Sequence, residues 1–292
     1  MTDLSVSLAN IPSLYVVATP LGNLRDVTLR ALDILKTVDV IAAEDTRHSQ
    51  RLLDAYAIRA KLVALHEHNE QEAAGGLIRL LQKGQHVALI SDAGTPAVSD
   101  PGARAVARVR DAGFPVVPVP GACAGVAALS VAGMIENGFH FAGFLPPKQA
   151  ARRSAIELLR RQEVPLVIYE SPHRISDCIV DLADVLEQER NIVIARELTK
   201  LHEEIVRLPL SQAAAWLTED ANRTRGEFVL IVSPAPAREG IDPDVERILR
   251  LALQTLPLKS AVQLTVDITG VAKNVLYARA LELKAASEDD AP

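Results

Sequence analysis

The sequence has few cysteines, few aromatic residues and no long apolar run, and each shortage excludes a class of protein. Two cysteines among 292 residues, Cys123 and Cys178, cannot form a disulfide framework and match no zinc-binding spacing. Aromatic residues make up 3% of the chain and the net charge is −6, which argues against binding of nucleic acid through a broad basic surface or an aromatic platform. No apolar run reaches the roughly 18 residues of a membrane span, and the N-terminal residues lack the basic start of a signal peptide. We therefore expect a protein of the reducing cytoplasm that does not enter a membrane.

Three common site motifs are also missing. The chain has no G-x-x-x-x-G-K-[ST] phosphate loop, no G-x-G-x-x-G after the first predicted strand and no H-E-x-x-H metal motif. These absences exclude a P-loop nucleotidase and give no support to a dinucleotide site or a Rossmann-type methyltransferase. His66, Glu67 and His68 could bind a metal, but no further ligand follows at a suitable spacing, so we expect a surface loop and no metal site.

Short apolar runs alternate with helical patterns along most of the chain, which predicts an α/β fold with mostly parallel strands. In the first half the predicted strands are 14–18, 40–43, 62–65, 87–90 and 116–119. In the second half they are 139–144, 166–169 and 192–195, followed by 204–208 and 227–232, which look like antiparallel additions. We predict α/β domains at 13–135 and 136–236, a small helical extension at 241–285 and a disordered acidic tail at 286–292.

Three loops at strand ends are unusually rich in Gly, Pro, Ser, Thr and Asp. They follow the first, fourth and fifth predicted strands and read TPLGN, SDAGTPAVSDPG and PGACAG. Ligand sites in open α/β sheets lie beyond the carboxyl ends of the strands, and small residues let backbone amides approach a ligand closely. Turn chemistry alone would explain any one of these loops. Three of them on one edge favour a ligand site.

One of these loops allows a different enzyme. Gly121-Ala122-Cys123-Ala124-Gly125 has the shape of a nucleophile elbow with cysteine in place of serine, and histidines at 140, 173 and 202 follow it. A cysteine hydrolase would place Cys123 at the centre of catalysis. Pro120 at the entrance to the elbow and the two unexplained loops make this the less favoured hypothesis.

Several longer stretches carry a family resemblance when they are taken together. They include ATPLGNL, AEDTRH, SDAGTP and YESPHR, and the similar region covers nearly everything from Leu14 to Val232. These stretches resemble the tetrapyrrole-methylase-like class of S-adenosylmethionine-dependent methyltransferases, and more closely the bacterial small-subunit rRNA cytidine 2′-O-methyltransferases. The segment LPLKSAVQLTVDITGVAKNVLYARAL resembles the helical extension of many members.

The resemblance implies two α/β domains with S-adenosylmethionine in the cleft between them, usually in a homodimer. It implies 2′-O-methylation of a cytidine ribose in the decoding region of 16S rRNA, and the scarcity of basic surface favours the assembled small ribosomal subunit as substrate. A small-molecule methylase on the same scaffold is the alternative. The positions implied to bind the cofactor are Pro20, Leu21, Asp92, Gly94, Thr95, Val98, Cys123, Ala124, Tyr169 and Leu198, although Asp92 could equally be an Asx-turn residue.

A ribose hydroxyl is weakly acidic and benefits from a nearby base. The candidate catalytic residues in the matching stretches are Glu44, Asp45, Glu170, His173 and Glu197, of which we rank Glu44 and Glu170 highest. A carboxylate between cations is more often an ion-pair partner than a base. The cations predicted to contact RNA phosphates are Arg47, Lys148, Arg174, Arg196 and Lys200, and intrachain ion pairs are their alternative role. The C-terminal helices are a candidate docking module for rRNA or the ribosomal particle, or a bundle that covers the dimer.

Overall fold

The structure, a computed structural model, describes residues 11–66, 69–236 and 243–289. The chain divides into a first unit, Met1–Ala235, and a second unit, Pro236–Pro292. Both sheets of the fold lie in the first unit. None of the helices in the described ranges is long and apolar enough to cross a bilayer.

The first sheet has five parallel strands in the order β3-β2-β4-β1-β5. The strands are β1 (Leu14–Val17), β2 (Val40–Ala43), β3 (Lys61–Ala64), β4 (Val87–Ile90) and β5 (Val116–Val119). The helices are α1 (Leu29–Thr37), α2 (Thr46–Ala55), α3 (Glu70–Gln82), α4 (Ala103–Asp111) and α5 (Ala124–Ala132). Strands β2 and β4 are buried along their whole length, as expected where helices cover both faces of a parallel sheet. The predicted parallel α/β arrangement is confirmed.

The second sheet is mixed and has the order β6-β7-β10-β8-β9. The strands are β6 (His140–Phe144), β7 (Leu166–Glu170), β8 (Asn191–Arg196), β9 (Glu204–Pro209) and β10 (Phe228–Val232). The helices are α6 (Gln149–Leu159), α7 (Ile175–Val185) and α8 (Leu210–Glu219). Strand β10 lies antiparallel between β7 and β8, and β9 pairs antiparallel with β8. The predicted antiparallel additions are therefore confirmed, and one of them forms the centre of the sheet.

The second unit is a helical bundle in its described residues. Its helices are α9 (Pro243–Thr255), α10 (Leu258–Thr269) and α11 (Lys273–Asp289). Leu249, Val262, Leu276 and Ala280 form its buried core. Gly270 ends α10 in the left-handed conformation. Helix α11 continues past residue 285, where the sequence analysis places the end of the extension, and residues 290–292 of the predicted tail lie outside the described ranges.

Candidate functional site

A cavity of about 330 Å³ lies at the carboxyl ends of the first-sheet strands and is bounded on its other side by the second sheet. We call it the first cavity. The loops after β4 and β5 form one wall, with Gly94 and Cys123, while Tyr169 on β7 and Val229 on β10 belong to the opposite wall. This is the position at which open α/β sheets bind ligands, and the volume lies in the range of small-molecule sites.

Backbone hydrogen bonds join the loops after β1, β4 and β5. The N–H of Thr19 donates to the carbonyl of Gly94 at 2.8 Å, and the N–H of Gly94 donates back to Thr19 at 3.0 Å. The Thr95 hydroxyl donates to the carbonyl of Ala122 at 2.9 Å. The three loops that the sequence analysis singled out therefore form one preorganised wall.

Tyr169 connects the loop after β5 to the second sheet. The N–H of Gly125 donates to the Tyr169 hydroxyl at 2.8 Å, and the Cys123 sulfur lies 3.9 Å from the same oxygen. A Cβ on Gly125 would lie 3.2 Å from a Val167 methyl and 3.3 Å from the Tyr169 oxygen, so the close approach favours glycine. Burial raises the pKa of Tyr169, and the phenol stays neutral at physiological pH.

Cys123 has none of the surroundings that a nucleophilic cysteine needs. No histidine is among the described residues that line the first cavity, and His173 is exposed outside it. A nucleophilic cysteine requires a base within hydrogen-bond reach. The geometry therefore disfavours the cysteine hydrolase.

Carboxylates give the first cavity a negative lining. Glu44, Asp92, Asp100, Glu170 and Glu227 all contribute to its wall. Burial, together with repulsion from Glu44, raises the pKa of Asp100 to about 7, although a hydrogen bond from Ser91 opposes the shift. Asp100 was not among the residues predicted from the sequence, because an acid in an S-D-P-G segment is typical of an ordinary turn.

The two carboxylates ranked highest as bases, Glu44 and Glu170, both line the first cavity and differ in burial. Glu170 is 2% exposed, and its oxygens accept hydrogen bonds from the N–H of Ser171 at 2.8 Å and from the Arg174 guanidinium at 3.2 Å. These contacts are those of an ion-pair partner. Glu44 is half-buried in the wall beside Asp92.

The other catalytic candidates do not line the first cavity. Asp45 caps helix α2, accepting the N–H groups of Arg47 at 2.8 Å and His48 at 3.3 Å, and these hydrogen bonds lower its pKa. Glu197 accepts the Lys200 ammonium at 2.8 Å. Its burial would raise the pKa, but this bond and one from the Glu227 N–H outweigh the burial and lower it. Both carboxylates have structural roles.

The five cations predicted to contact phosphates fall into three groups. Arg47, whose side chain is 94% exposed, and Lys148 are open to solvent. Arg174 and Lys200 are engaged by carboxylates of the same chain. Arg196 is buried, and its guanidinium donates to backbone carbonyls at 2.7 and 3.1 Å. These contacts favour a structural role for Arg196, and its contact with a phosphate stays a prediction.

The residues predicted to contact the cofactor are brought together. All of them except Pro20 line the first cavity, and Pro20 lines a neighbouring one. Cavity residues that the sequence analysis missed include Ser99, Phe144, Ala195, Phe228 and Val229. Strand alternation could have indicated Val229, which faces the same side of the sheet as Tyr169 and Leu198, but it places Phe228 on the opposite face and gives no signal for that residue. The lining of the first cavity fits S-adenosylmethionine, because it offers apolar walls for the adenine ring and carboxylates for the sulfonium cation.

A metal centre has little support in the described ranges. No group of three or more His, Cys, Asp or Glu side chains there is arranged to hold an ion. His66 is described, whereas residues 67 and 68 of the same segment lie outside those ranges.

Comparisons with known proteins identify the family. Residues 13–214 match Tetrapyrrole (Corrin/Porphyrin) Methylases, and residues 239–284 match the RsmI C-terminal HTH domain. Curated relatives from Pseudomonas aeruginosa and Escherichia coli O157:H7 are each 49% identical over 92% of this chain, covering 97% and 94% of the relatives. Both are called Ribosomal RNA small subunit methyltransferase I. The chain belongs to the tetrapyrrole methylase family and, within it, to the ribosomal RNA small subunit methyltransferase I group.

Solved structures show the same fold. Uroporphyrin-III C-methyltransferase from Thermus thermophilus, complexed with S-adenosyl homocysteine, is 20% identical with a TM-score of 0.55, over 76% of this chain and 98% of its own. The cobalt precorrin-4 methyltransferase CbiF is 17% identical with a TM-score of 0.58, over 76% of this chain and 94% of its own. At these identities the likeness concerns architecture alone.

Proposed function

We propose that this protein transfers a methyl group from S-adenosylmethionine to the ribose 2′-hydroxyl of a cytidine in the decoding region of 16S rRNA. The observation that carries the proposal is the 49% identity, over 92% of the chain, to relatives called ribosomal RNA small subunit methyltransferase I. The substrate is the assembled small subunit, because a chain of net charge −6 lacks the broad basic surface that holds naked rRNA tightly, although weaker local contacts to a short RNA segment are compatible with this charge. The enzyme acts as a cytoplasmic homodimer.

The first cavity is the site that we assign to the cofactor. Leu21, Leu198 and Val229 provide apolar wall, while Gly94 and Ala124 bring backbone close to the ligand. When bound there, S-adenosylmethionine would supply an electrophilic methyl group: the ribose oxygen would bond to the methyl carbon as the carbon–sulfur bond breaks, and S-adenosylhomocysteine would leave as a neutral thioether. The protein therefore acts mainly by positioning, which can supply roughly 7–11 kcal/mol of the barrier.

Asp100 and Glu44 are the carboxylates that we assign to proton acceptance. Both lie in the wall of the first cavity. The pKa of Asp100 is about 7, and a general base is most effective when its pKa lies near the pH at which the enzyme works. Glu170 is committed to Arg174 and Ser171 and serves to hold the loop after β7. Replacement of a general base costs about 10²–10⁴ in rate, so Asp100→Asn is expected to lower kcat by at least 100-fold.

The remaining contacts to rRNA are assigned to exposed cations and to the helical unit. Arg47 and Lys148 are open to phosphates. In the helical unit Arg279 is held by Glu246 and Glu282, and Lys273 by Gln263. Docking on the ribosomal particle is the role that we propose for this unit. Unchanged methylation of particles after deletion of the residues following 240 would refute that role.

The experiment is transfer of tritiated methyl to small subunits from cells that lack this protein, followed by alkaline hydrolysis. A 2′-O-methyl group removes the hydroxyl that attacks the adjacent phosphodiester, so label in an alkali-resistant dinucleotide is the expected result. Label in mononucleotides would move the methyl to a base. Absence of label, from protein that binds the cofactor, would favour the small-molecule methylase, for which the solved structures supply only the fold.

A further inference from the structure

A second cavity, of about 560 Å³, adjoins the first. The two share four wall residues, Leu21, Asp92, Ala93 and Glu227. The rest of the second cavity is formed by the loop after β1, by helix α2 and by Lys200. Ligands bound in the two cavities would therefore lie next to each other beside these four residues.

The lining of the second cavity combines cationic and apolar groups. His48 and Arg51 are exposed residues one turn apart on α2, and Arg51 forms no ion pair within the described ranges. Leu24, 46% exposed, and Leu52 provide apolar surface. A flat base against the leucines and a phosphate beside the arginine is the ligand chemistry that fits this combination.

Lys200 closes the far side of the second cavity. Its stem packs against Gly22 so closely that a Cβ there would lie 2.2 Å from Lys200 Cγ. Its ammonium group bridges Glu197 and Glu227 at 2.8 and 3.0 Å. Lys200 is therefore a fixed part of the wall, whereas Arg51 has no ion-pair partner in the part of the chain that the structure describes and can meet a ligand.

Ser49 gives an independent sign of a ligand. It lines the second cavity and is 2% exposed, yet its hydroxyl has no hydrogen-bond partner in the part of the chain that the structure describes. Its N–H is satisfied by the carbonyl of Asp45. A buried hydroxyl without a partner is costly, and in the wall of a cavity a bound molecule can supply the missing partner.

We propose that the second cavity binds the acceptor nucleotide of single-stranded RNA, with Arg51 at its phosphate, Leu24 and Leu52 against its base and Ser49 bonded to its polar edge. The acceptor then faces the methyl donor across Asp92 and Glu227. The inference rests on the proposed function for the identity of the donor in the first cavity. Binding of RNA at the second cavity is tested without reference to methylation.

The test measures the binding of a fluorescein-labelled, cytidine-containing RNA of about ten nucleotides by anisotropy, in full-length protein. Arg51→Glu is expected to weaken RNA binding by at least about tenfold, as expected for loss of a charge-assisted phosphate contact, and to change S-adenosylmethionine affinity by less than about twofold. Lys36→Glu makes the same charge change on the exposed side of α1, and it is expected to leave both affinities within about twofold. Equal RNA affinities for the two variants would overturn the proposal.

Ser49→Ala provides a second readout that does not depend on net charge. It is expected to weaken RNA binding about threefold or more while the free energy of unfolding stays equal or rises, because an unpaired buried hydroxyl has been removed. Unchanged RNA binding by Ser49→Ala would overturn the assignment of that hydroxyl.

Methyl transfer to small subunits, measured in parallel, separates the two claims. RNA binding that depends on Arg51, in protein that transfers no methyl, would keep the second cavity and reject the proposed function. If Arg51→Glu transfers methyl groups at the wild-type rate, the proposed function stands and the second cavity is not the acceptor site.

Discussion

The affinity for S-adenosylmethionine is expected to fall when the pH is lowered from about 8 to about 6, whereas the affinity for S-adenosylhomocysteine changes little. The two ligands differ in charge, since the first carries a sulfonium and the second a neutral thioether. Asp100 lines the first cavity with a pKa of about 7, raised by burial and by repulsion from Glu44, Asp92 and Glu227. Lowering the pH through this value protonates Asp100 and removes a negative charge from the wall.

The size of the effect follows from linkage. A bound cation favours the ionised carboxylate and lowers its pKa, and a lowering of one unit corresponds to about 1.4 kcal/mol. With a free-protein pKa of about 7, a lowering by one unit on binding makes the affinity at pH 6 about fivefold weaker than at pH 8. The neutral thioether of S-adenosylhomocysteine shifts the pKa of Asp100 far less. The ratio of the two affinities therefore measures the effect of the sulfonium charge alone.

The assay is isothermal titration calorimetry of both ligands at the two pH values, with wild-type protein and Asp100→Asn. The variant has no carboxylate to titrate and is expected to lose the pH dependence. It is also expected to unfold at a higher temperature than wild type, by most at pH 8, by less at pH 5 and not at all below about pH 4, because a raised carboxyl pKa costs stability progressively as the pH rises from the unfolded value of 3.8 to the folded value of about 7. If the ratio of S-adenosylmethionine affinity to S-adenosylhomocysteine affinity of the wild-type protein is constant from pH 6 to pH 8, Asp100 does not interact with the sulfonium as argued.

Three further predictions concern single contacts. Tyr169→Phe leaves the Gly125 N–H without its acceptor and should lower the free energy of unfolding by about 1–3 kcal/mol in urea titrations; an unchanged midpoint would contradict this. Asp181→Ala removes the partner of buried Arg152, 2.6 Å away, and should cost about 3–5 kcal/mol in the same assay, so a loss below 1 kcal/mol would count against it. Asp45→Ala should lose about 1 kcal/mol whereas Asp45→Asn, which keeps a capping oxygen, should retain both stability and methyl transfer; loss of transfer in Asp45→Asn would instead make that carboxylate a base.

The first sheet could be predicted from sequence almost residue by residue. Strands β2 and β4 begin and end where the apolar runs do, because a strand buried on both faces is apolar throughout and is bounded by turn residues. Strand β5 also matches its apolar run, although it lies at the edge of the sheet and is only partly buried. The three loops that meet at the first cavity could be predicted for the same reason, since parallel strands place their carboxyl ends on one edge.

Burial of polar groups could not be predicted in the same way. Arg196 stands in a basic, motif-like stretch, but tertiary packing turns its guanidinium toward backbone carbonyls. Asp100 lies in a turn-forming segment, and its raised pKa comes from Glu44, Asp92 and Glu227, which are distant in sequence. Such properties depend on which loops meet in space, and hydropathy patterns do not contain that information.

The position of β10 has a consequence for how the protein is made. The strand that occupies the middle of the second sheet is the last of the ten to be synthesised, and its neighbours β7 and β8 both precede it. Until Val232 has left the ribosome, those two strands have unpaired edges that can join other chains. Because Phe228 and Val229 also line the first cavity, a nascent chain ending before them lacks both a closed sheet and a complete ligand wall. Assembly of the fold and competence to bind the ligand are therefore reached together, once β10 has been synthesised and has left the ribosome.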